Sequence, residues 1–433
     1  MILEYSVSNT LSIREERTIS FEAAKKDETD DLHTKTIDGK RILKFACLYG
    51  ANAAGKTNMI YALGFYLGFI LSSFTDLKPE EPIFDFDPFR FDDTTINQPG
   101  TFNLVFYAPN YNDSEKIVKY VYNLRLTSKK VISESLYYAP KGQLRLVFDR
   151  TDGGEIKWGS DVTGPKKIIS ELTRSNCSLI GAGAQANHPV FALLYAYFTQ
   201  RLKGLYPRRQ LDSYSALRTI EENNVFKEKM IGLLQSTDFG SITDIEIESR
   251  IIPEEFLSII PDEMKEEFQK KGEQPKTRVA FFVHSYNGKK YRLPLLKESN
   301  GTQHVYALAQ ILDFATDSAD IIVDEIDSSL HPDIVEAVLR LFLELSDDSQ
   351  LIFTTHNQDL LESGILRDDE VWFCYKTDEG NSIYNSITDF SGIRKDPSRK
   401  KLYKAGKFGS LPIIDYPRLR ELFSAKKDKK DSK

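Results

Sequence analysis

Cysteine is scarce, with three in 433 residues: Cys47, Cys177 and Cys374, far apart in the chain. That spacing excludes a disulfide framework and a zinc knuckle, and it fits a reducing compartment. An excess of one charge is also missing. A formal net charge of -7 and a pI near 5.6 exclude a wholesale basic nucleic-acid binder and leave room only for a local basic face. Glycine (24) and proline (17) are at ordinary levels, hydrophobic residues make up 41% and charged residues 28%, so collagenous, disordered and coiled-coil classes drop out. No internal repeat is visible. Met1 to Phe21 alternates apolar and charged residues and builds no apolar h-region, so no secretory signal is expected.

What is present is enough chain for two or three structural units, or for one core with a large insertion. From 1 to 150 the pattern is β-rich. Alternation in Met1 to Ser8 and Ser12 to Phe21 predicts an antiparallel strand pair, and Phe102 to Tyr107, Val118 to Leu126, Ser135 to Tyr138 and Leu144 to Phe148 predict a meander. From 151 to 240 the period turns helical, with Phe191, Leu194, Tyr195 and Phe198 on one face, which predicts a helical insertion. From 241 to 415, strands at Ile242 to Ile251 and Arg278 to Tyr286 flank a charged helical patch, Glu254 to Lys271. A helix-strand alternation then follows, as a parallel core requires. Residues 416–433 form a charged tail. One segment, Thr57 to Thr75, runs 19 residues without a charge and approaches membrane-spanning length. It starts inside a phosphate-loop motif and has no partner segment, so it is expected to be a buried helix.

That motif is Gly50-Ala51-Asn52-Ala53-Ala54-Gly55-Lys56-Thr57, which matches G-x-x-x-x-G-K-[ST] between an apolar strand, Phe45 to Tyr49, and an apolar helix. The two glycines let successive N–H groups and the helix N-terminus face phosphate oxygens. Lys56 would reach the β- and γ-phosphates and Thr57 a magnesium ion. Such a loop needs a distant acid. Ile321-Ile322-Val323-Asp324-Glu325 supplies it: Asp324 at a strand end for the Mg²⁺ shell, Glu325 as general base. A further buried run, Leu351 to Thr355, ends at His356 and Asn357. A histidine there can sense a γ-phosphate or simply finish a strand. Glu298-Ser299-Asn300-Gly301-Thr302 opens a helix striped by Val305, Leu308, Ala309 and Leu312, and these residues suit an anion site or a plain N-cap.

In this order, P-loop, Ser-x-Gly helix start, Asp-Glu strand and His strand, the chain resembles the ABC-type ATPase heads of the RecF, SbcC and SMC kind. The resemblance implies an α/β fold, a P-loop NTPase of ABC ATPase head type with an antiparallel β lobe and a helical insertion. It implies ATP and Mg²⁺ as cofactors, and a homodimer or higher homo-oligomer in which two heads sandwich two nucleotides. By carry-over, Gly50, Ala51, Asn52, Ala53, Ala54, Gly55, Lys56, Thr57 and Asn58 hold the nucleotide. Thr57 and Asp324 hold the metal, and Ser299 and Gly301 act on the partner's γ-phosphate. Glu325 is the base, His356 the switch, and Ser328, Ser329 and Leu330 the segment crossing the dimer interface.

The chain is also similar to the ATPases of bacterial phage-defence and abortive-infection loci, the RloA and AbiL-like group that includes the ATPase of PARIS systems. The residues behind this are GANAAGKTN at 50–58, the stretch from Ser175-Asn176 to His188-Pro189, ESNGT at 298–302, DEIDSSLHP at 324–332, TTHN at 354–357, RDDEVWF at 367–373, and Y-x-x-G-x-F-G-x-L-P from Tyr403 to Pro412. Two departures stand out. Members often carry an arginine in the N-terminal strand pair where this chain has Leu11, with Arg14 out of register, and no Q-loop glutamine can be placed.

The resemblance therefore implies a cytoplasmic dimerising switch, off the membrane, that controls a separate toxin or nuclease. The chain offers no effector chemistry of its own: no second acidic cluster, no Ser-His-Asp set, no Cys-His pair at useful spacing. The alternative is a DNA-binding repair ATPase of the RecF or SbcC type. Its best sequence support is the basic run Arg394, Lys395, Arg399, Lys400, Lys401, Lys404 and Lys407 against Asp396, although no room remains for a long coiled-coil arm. A P-loop kinase or a scaffold without turnover is the third option.

Overall fold

The computed structural model describes residues 1–24, 30–205, 217, 220–221, 223–252, 274, 276–390, 398–412 and 414–424. Its centre is a six-stranded sheet in the order Leu202–Leu205, Asp320–Val323, Gln350–Thr355, Phe45–Gly50, Val371–Lys376, Ser382–Ser386. The first five strands are parallel, and Ser382–Ser386 closes one edge antiparallel to Val371–Lys376. Every residue of Asp320–Val323, Gln350–Thr355 and Phe45–Gly50 is buried. This is why these segments read as unbroken apolar runs rather than as alternating ones.

Because strand side chains alternate, the two faces of this sheet feed two different cores. Ala46, Leu48, Ile322, Ile352, Trp372 and Cys374 pack with the long helix Lys56–Asp76. Phe45, Cys47, Tyr49, Ile321, Val323, Leu351, Phe353, Val371 and Phe373 pack with the helix Pro332–Leu345. That second helix buries Val335, Val338, Leu339, Phe342 and Leu343, one stripe at helical spacing. Each large side chain buried this way contributes roughly 1.5–3 kcal/mol.

The N-terminal lobe is a seven-stranded antiparallel sheet, in the order Lys157–Trp158, Arg145–Thr151, Val131–Ala139, Asp113–Leu126, Gly100–Asn110, Ile2–Ser8, Arg17–Ser20. It contains the expected strand pair and meander. The helix Lys56–Asp76 lies in the core this sheet shares with the central sheet, and the Tyr66 ring stacks on Phe102 at 5.4 Å and on Tyr122 at 5.6 Å. By length and composition this helix could cross a membrane. Its buried face, from Met59 to Ile70, is instead spent on the protein core.

A three-stranded antiparallel sheet, Ile242–Ile251, Lys276–Tyr286 and Lys289–Pro294, packs with the helices Asn224–Gln235 and Asn300–Ala315 in a third core. Its second hairpin turns at Asn287-Gly288, both with positive φ, as a tight two-residue turn requires.

The sequence pattern needs two corrections. The stretch from 151 to 240, expected to be helical, also holds the strand Lys157–Trp158 at the edge of the antiparallel sheet and the strand Leu202–Leu205, parallel to Asp320–Val323. Four residues, one of them Lys203 and one Gly204, carry too little periodicity to announce a strand. The last third is not wholly parallel either, because a tight turn before Ser382 lets the final strand pair antiparallel. The patch Glu254 to Lys271, residues 394–397 of the basic run, and the tail from Ala425 lie outside the described residues.

Candidate functional site

The loop between the buried strand Phe45–Gly50 and the helix Lys56–Asp76 is held tightly. A Cβ at Gly50 would run into the carbonyl of Cys374, and one at Gly55, whose φ is 112°, would run into the Ser382 hydroxyl. Both positions require glycine. The helix begins at Lys56 with no side-chain cap on its first N–H groups. Those orphan donors and the positive helix end border a cavity of about 260 Å³ lined by Ala53, Ala54, Gly55, Lys56, Thr57, Asn58 and Lys376. The Lys56 ammonium donates to the carbonyls of Gly50 at 2.9 Å and Ala51 at 3.2 Å. Burial holds its pKa below the ordinary lysine value, against the raising pull of Cys374, Asp324, Glu325 and Asp327.

Asp324 follows the strand Asp320–Val323 directly, and its two oxygens are fixed from different sides. Thr57 Oγ1 donates to Oδ2 at 2.9 Å, and Thr354 Oγ1 donates to Oδ1 at 2.5 Å. The first turn of the P-loop helix and two neighbouring strand ends thus share one carboxylate. Glu325 has a φ of 51°, an uncommon conformation for a non-glycine residue, and its N–H donates to Thr354 Oγ1 at 2.7 Å. The exposed Glu325 lies close enough to pull on the protonation of Lys56, His304 and His356. Burial, and then the Lys56 charge, hold the His356 pKa below the ordinary histidine value, so this ring is neutral at pH 7.

The donor set fits a magnesium-bound polyphosphate. The Lys56 ammonium and a helix N-terminus would meet phosphate oxygens, and a hydroxyl paired with a carboxylate suits Mg²⁺, which takes one or two carboxylates and completes its shell with water and substrate oxygens. Among the described residues no group of three or more His, Cys, Asp and Glu could hold a metal on its own. One further oxygen is available: Asp327 Oδ1 is buried without a protein partner, while Oδ2 accepts from the His356 N–H at 3.3 Å.

Sequence reasoning missed the wall behind the loop. The Ser382 hydroxyl, the Cys374 thiol and the Tyr384 hydroxyl donate to the loop carbonyls, at 2.7 and 3.0 Å to Ala54 and 2.6 Å to Gly55. Asn58 Nδ2 donates to Ser12 Oγ at 2.6 Å, and Ser12 shares a 2.7 Å bond with Ser382. The two ends of the chain therefore brace the P-loop together. The polar alternation of Ser382–Ser386 was the available signal, but its partners lie hundreds of positions away.

Ser299 and Gly301 stand apart from this cavity. Ser299 caps the helix Asn300–Ala315, its Oγ accepting from the Thr302 N–H at 3.1 Å. Gly301 is close-packed: an added Cβ would sit 3.3 Å from both the Phe239 ring and the Ser329 carbonyl oxygen. His304 Nε2 donates to the Ile326 carbonyl at 3.2 Å, tying this helix to the segment after Asp324. Neither Ser299 nor Gly301 lines the P-loop cavity of its own chain. In the basic run, Arg399 pairs with Asp368 at 2.6 Å and Lys400 pairs with Asp359, so at least two of its cations are already partnered.

A P-loop strand, loop and helix, with an Asp-Glu pair at the end of a parallel strand in the same sheet, define a P-loop ATPase of α/β class. Residues 45–362 match the family described as "AAA domain, putative AbiEii toxin, Type IV TA system", and the chain belongs to that family. No curated protein matches it. Among solved structures it is similar to an SMC head bound to the C-winged helix domain of ScpA (13% identity, TM-score 0.41, 90% of this chain and 99% of that one). It is also similar to the SMC head domain from Thermotoga maritima (14%, 0.38, 89% and 98%). A third is the Smc head domain with an extended coiled coil bound to the C-terminal domain of ScpA derived from Pyrococcus furiosus (13%, 0.41, 90% and 97%).

Proposed function

We propose that this AAA-type ATPase is a dimerising switch of bacterial anti-phage defence, in which ATP binding and hydrolysis control a separate toxin or nuclease. The observation that carries the ATPase half is the shared carboxylate: Thr57, Asp324 and Thr354 join the P-loop helix, the acidic strand and the His356 strand in one hydrogen-bonded chain. The defence half draws on the motif set shared with the RloA, AbiL and PARIS ATPases, and on a family description that names an AbiEii toxin.

Lys56 and the helix N-terminus hold the β- and γ-phosphates, and Thr57 and Asp324 hold Mg²⁺. When bound, that ion neutralises charge developing on the phosphate oxygens. Glu325 accepts a proton from the water whose oxygen attacks the γ-phosphorus, as the bond to the ADP oxygen breaks. Neutral His356, which feels the Lys56 charge, would hydrogen-bond the γ-phosphate and lose that bond when phosphate leaves. Ser299 and Gly301 complete the site of a second copy. Support for that trans role comes from a capped helix end that stays outside its own P-loop cavity.

The test is Glu325→Gln. ATP binding should persist while turnover falls by roughly 10² to 10⁴-fold, the usual contribution of a positioned general base. Turnover at the native rate would remove Glu325 from the role of base.

A further inference from the structure

We infer that Lys376 is a second phosphate-binding cation of the P-loop site, supplied by the strand that flanks the P-loop strand. This rests on the proposed ATP site and adds a residue to it.

The strand Val371–Lys376 lies parallel beside the P-loop strand, with Cys374 in register with Gly50. Side chains two apart on a strand share a face. Cys374 shows which face this is, because its Sγ donates to the Ala54 carbonyl at 3.0 Å from behind the loop. Lys376 is the next residue on that face. The strand ends there, and Lys376 lines the cavity together with Ala53, Ala54, Gly55 and Asn58.

Its neighbours leave it free. Among the described residues Lys376 makes no ion pair, whereas Arg14, the cation the N-terminal turn does offer, is held by Glu15 at 2.6 Å and by Glu379 at 2.7 Å. Leu11 carries no charge, and its N–H is bonded to the Asp87 carbonyl at 2.8 Å. An uncommitted, exposed ammonium lining the same cavity as buried Lys56 and a helix N-terminus attracts a polyanion. Lys376 therefore holds the polyphosphate nearer the cavity entrance, while Lys56 holds it at the base.

The experiment measures Mg-ATP affinity and steady-state turnover on the full chain. Lys376→Ala should weaken Mg-ATP binding about tenfold, the ordinary value of one charge-assisted hydrogen bond. The loss should appear in KM rather than kcat, salt dependence of binding should become shallower, and thermal stability should be unchanged. Lys376→Arg should recover most of the loss. Affinity within twofold of the native chain for Lys376→Ala, or no recovery with arginine, would overturn the inference. Lys56→Ala separates the two levels: if it too binds Mg-ATP normally, the P-loop site itself fails, and if it alone loses binding, only the role of Lys376 fails.

Discussion

Asp324 owes its orientation to two hydroxyls from different parts of the chain, Thr57 and Thr354. A carboxylate that must meet a divalent ion is useful only if it cannot rotate, and partners one layer out commonly govern metal affinity by 10- to 100-fold. Thr354 does double duty, since the same Oγ1 accepts from the Glu325 N–H and so sets the turn that carries the proposed base. Thr354→Val keeps the shape and removes both bonds. It should raise the Mg²⁺ concentration needed for half-maximal turnover by roughly 10- to 100-fold while leaving the fold intact; magnesium titration of the ATPase rate reads this directly, and an unchanged requirement would free Asp324 from this dependence.

At the scale of elements, the P-loop, the acidic strand and the His356 strand were legible because each is written in consecutive residues: a glycine-spaced loop, and apolar runs ending in polar atoms. The two-core sheet was legible in kind, since continuous apolar strands imply burial on both faces. The strand Leu202–Leu205 was not, being too short to show a period, and neither was the brace formed by Ser12, Ser382 and Tyr384, because hydroxyls that meet across the fold leave no local spacing. The same holds for Glu134. It is almost completely buried, accepts from Tyr122 Oη at 2.6 Å, Arg150 Nε at 2.7 Å and the Leu179 N–H, and so ties the antiparallel sheet to the helix Leu179–Gln185. Removing one member of such a buried pair strands the other charge. Glu134→Ala should cost about 3–5 kcal/mol in denaturant unfolding. A loss below about 1 kcal/mol would mean that Arg150 finds other partners at no cost.

For the whole molecule, the proposed trans role falls to a helix start that does not line its own P-loop cavity. Gly301 packs against the Ser329 carbonyl in the segment after Asp324, and His304 fastens the same helix to Ile326 in that segment. Pairing two chains about a twofold axis would let each such helix end face the other's P-loop, so one isologous interface would complete two sites at once. The most direct measurement is the solution mass of the Glu325→Gln chain in saturating Mg-ATP, beside the same chain carrying Ser299→Arg. The expected result is twice the 49.5 kDa subunit mass for the first and a single subunit, still binding ATP, for the second. A single-subunit mass for Glu325→Gln with ATP bound, or unimpaired pairing with Ser299→Arg, would contradict the sandwich.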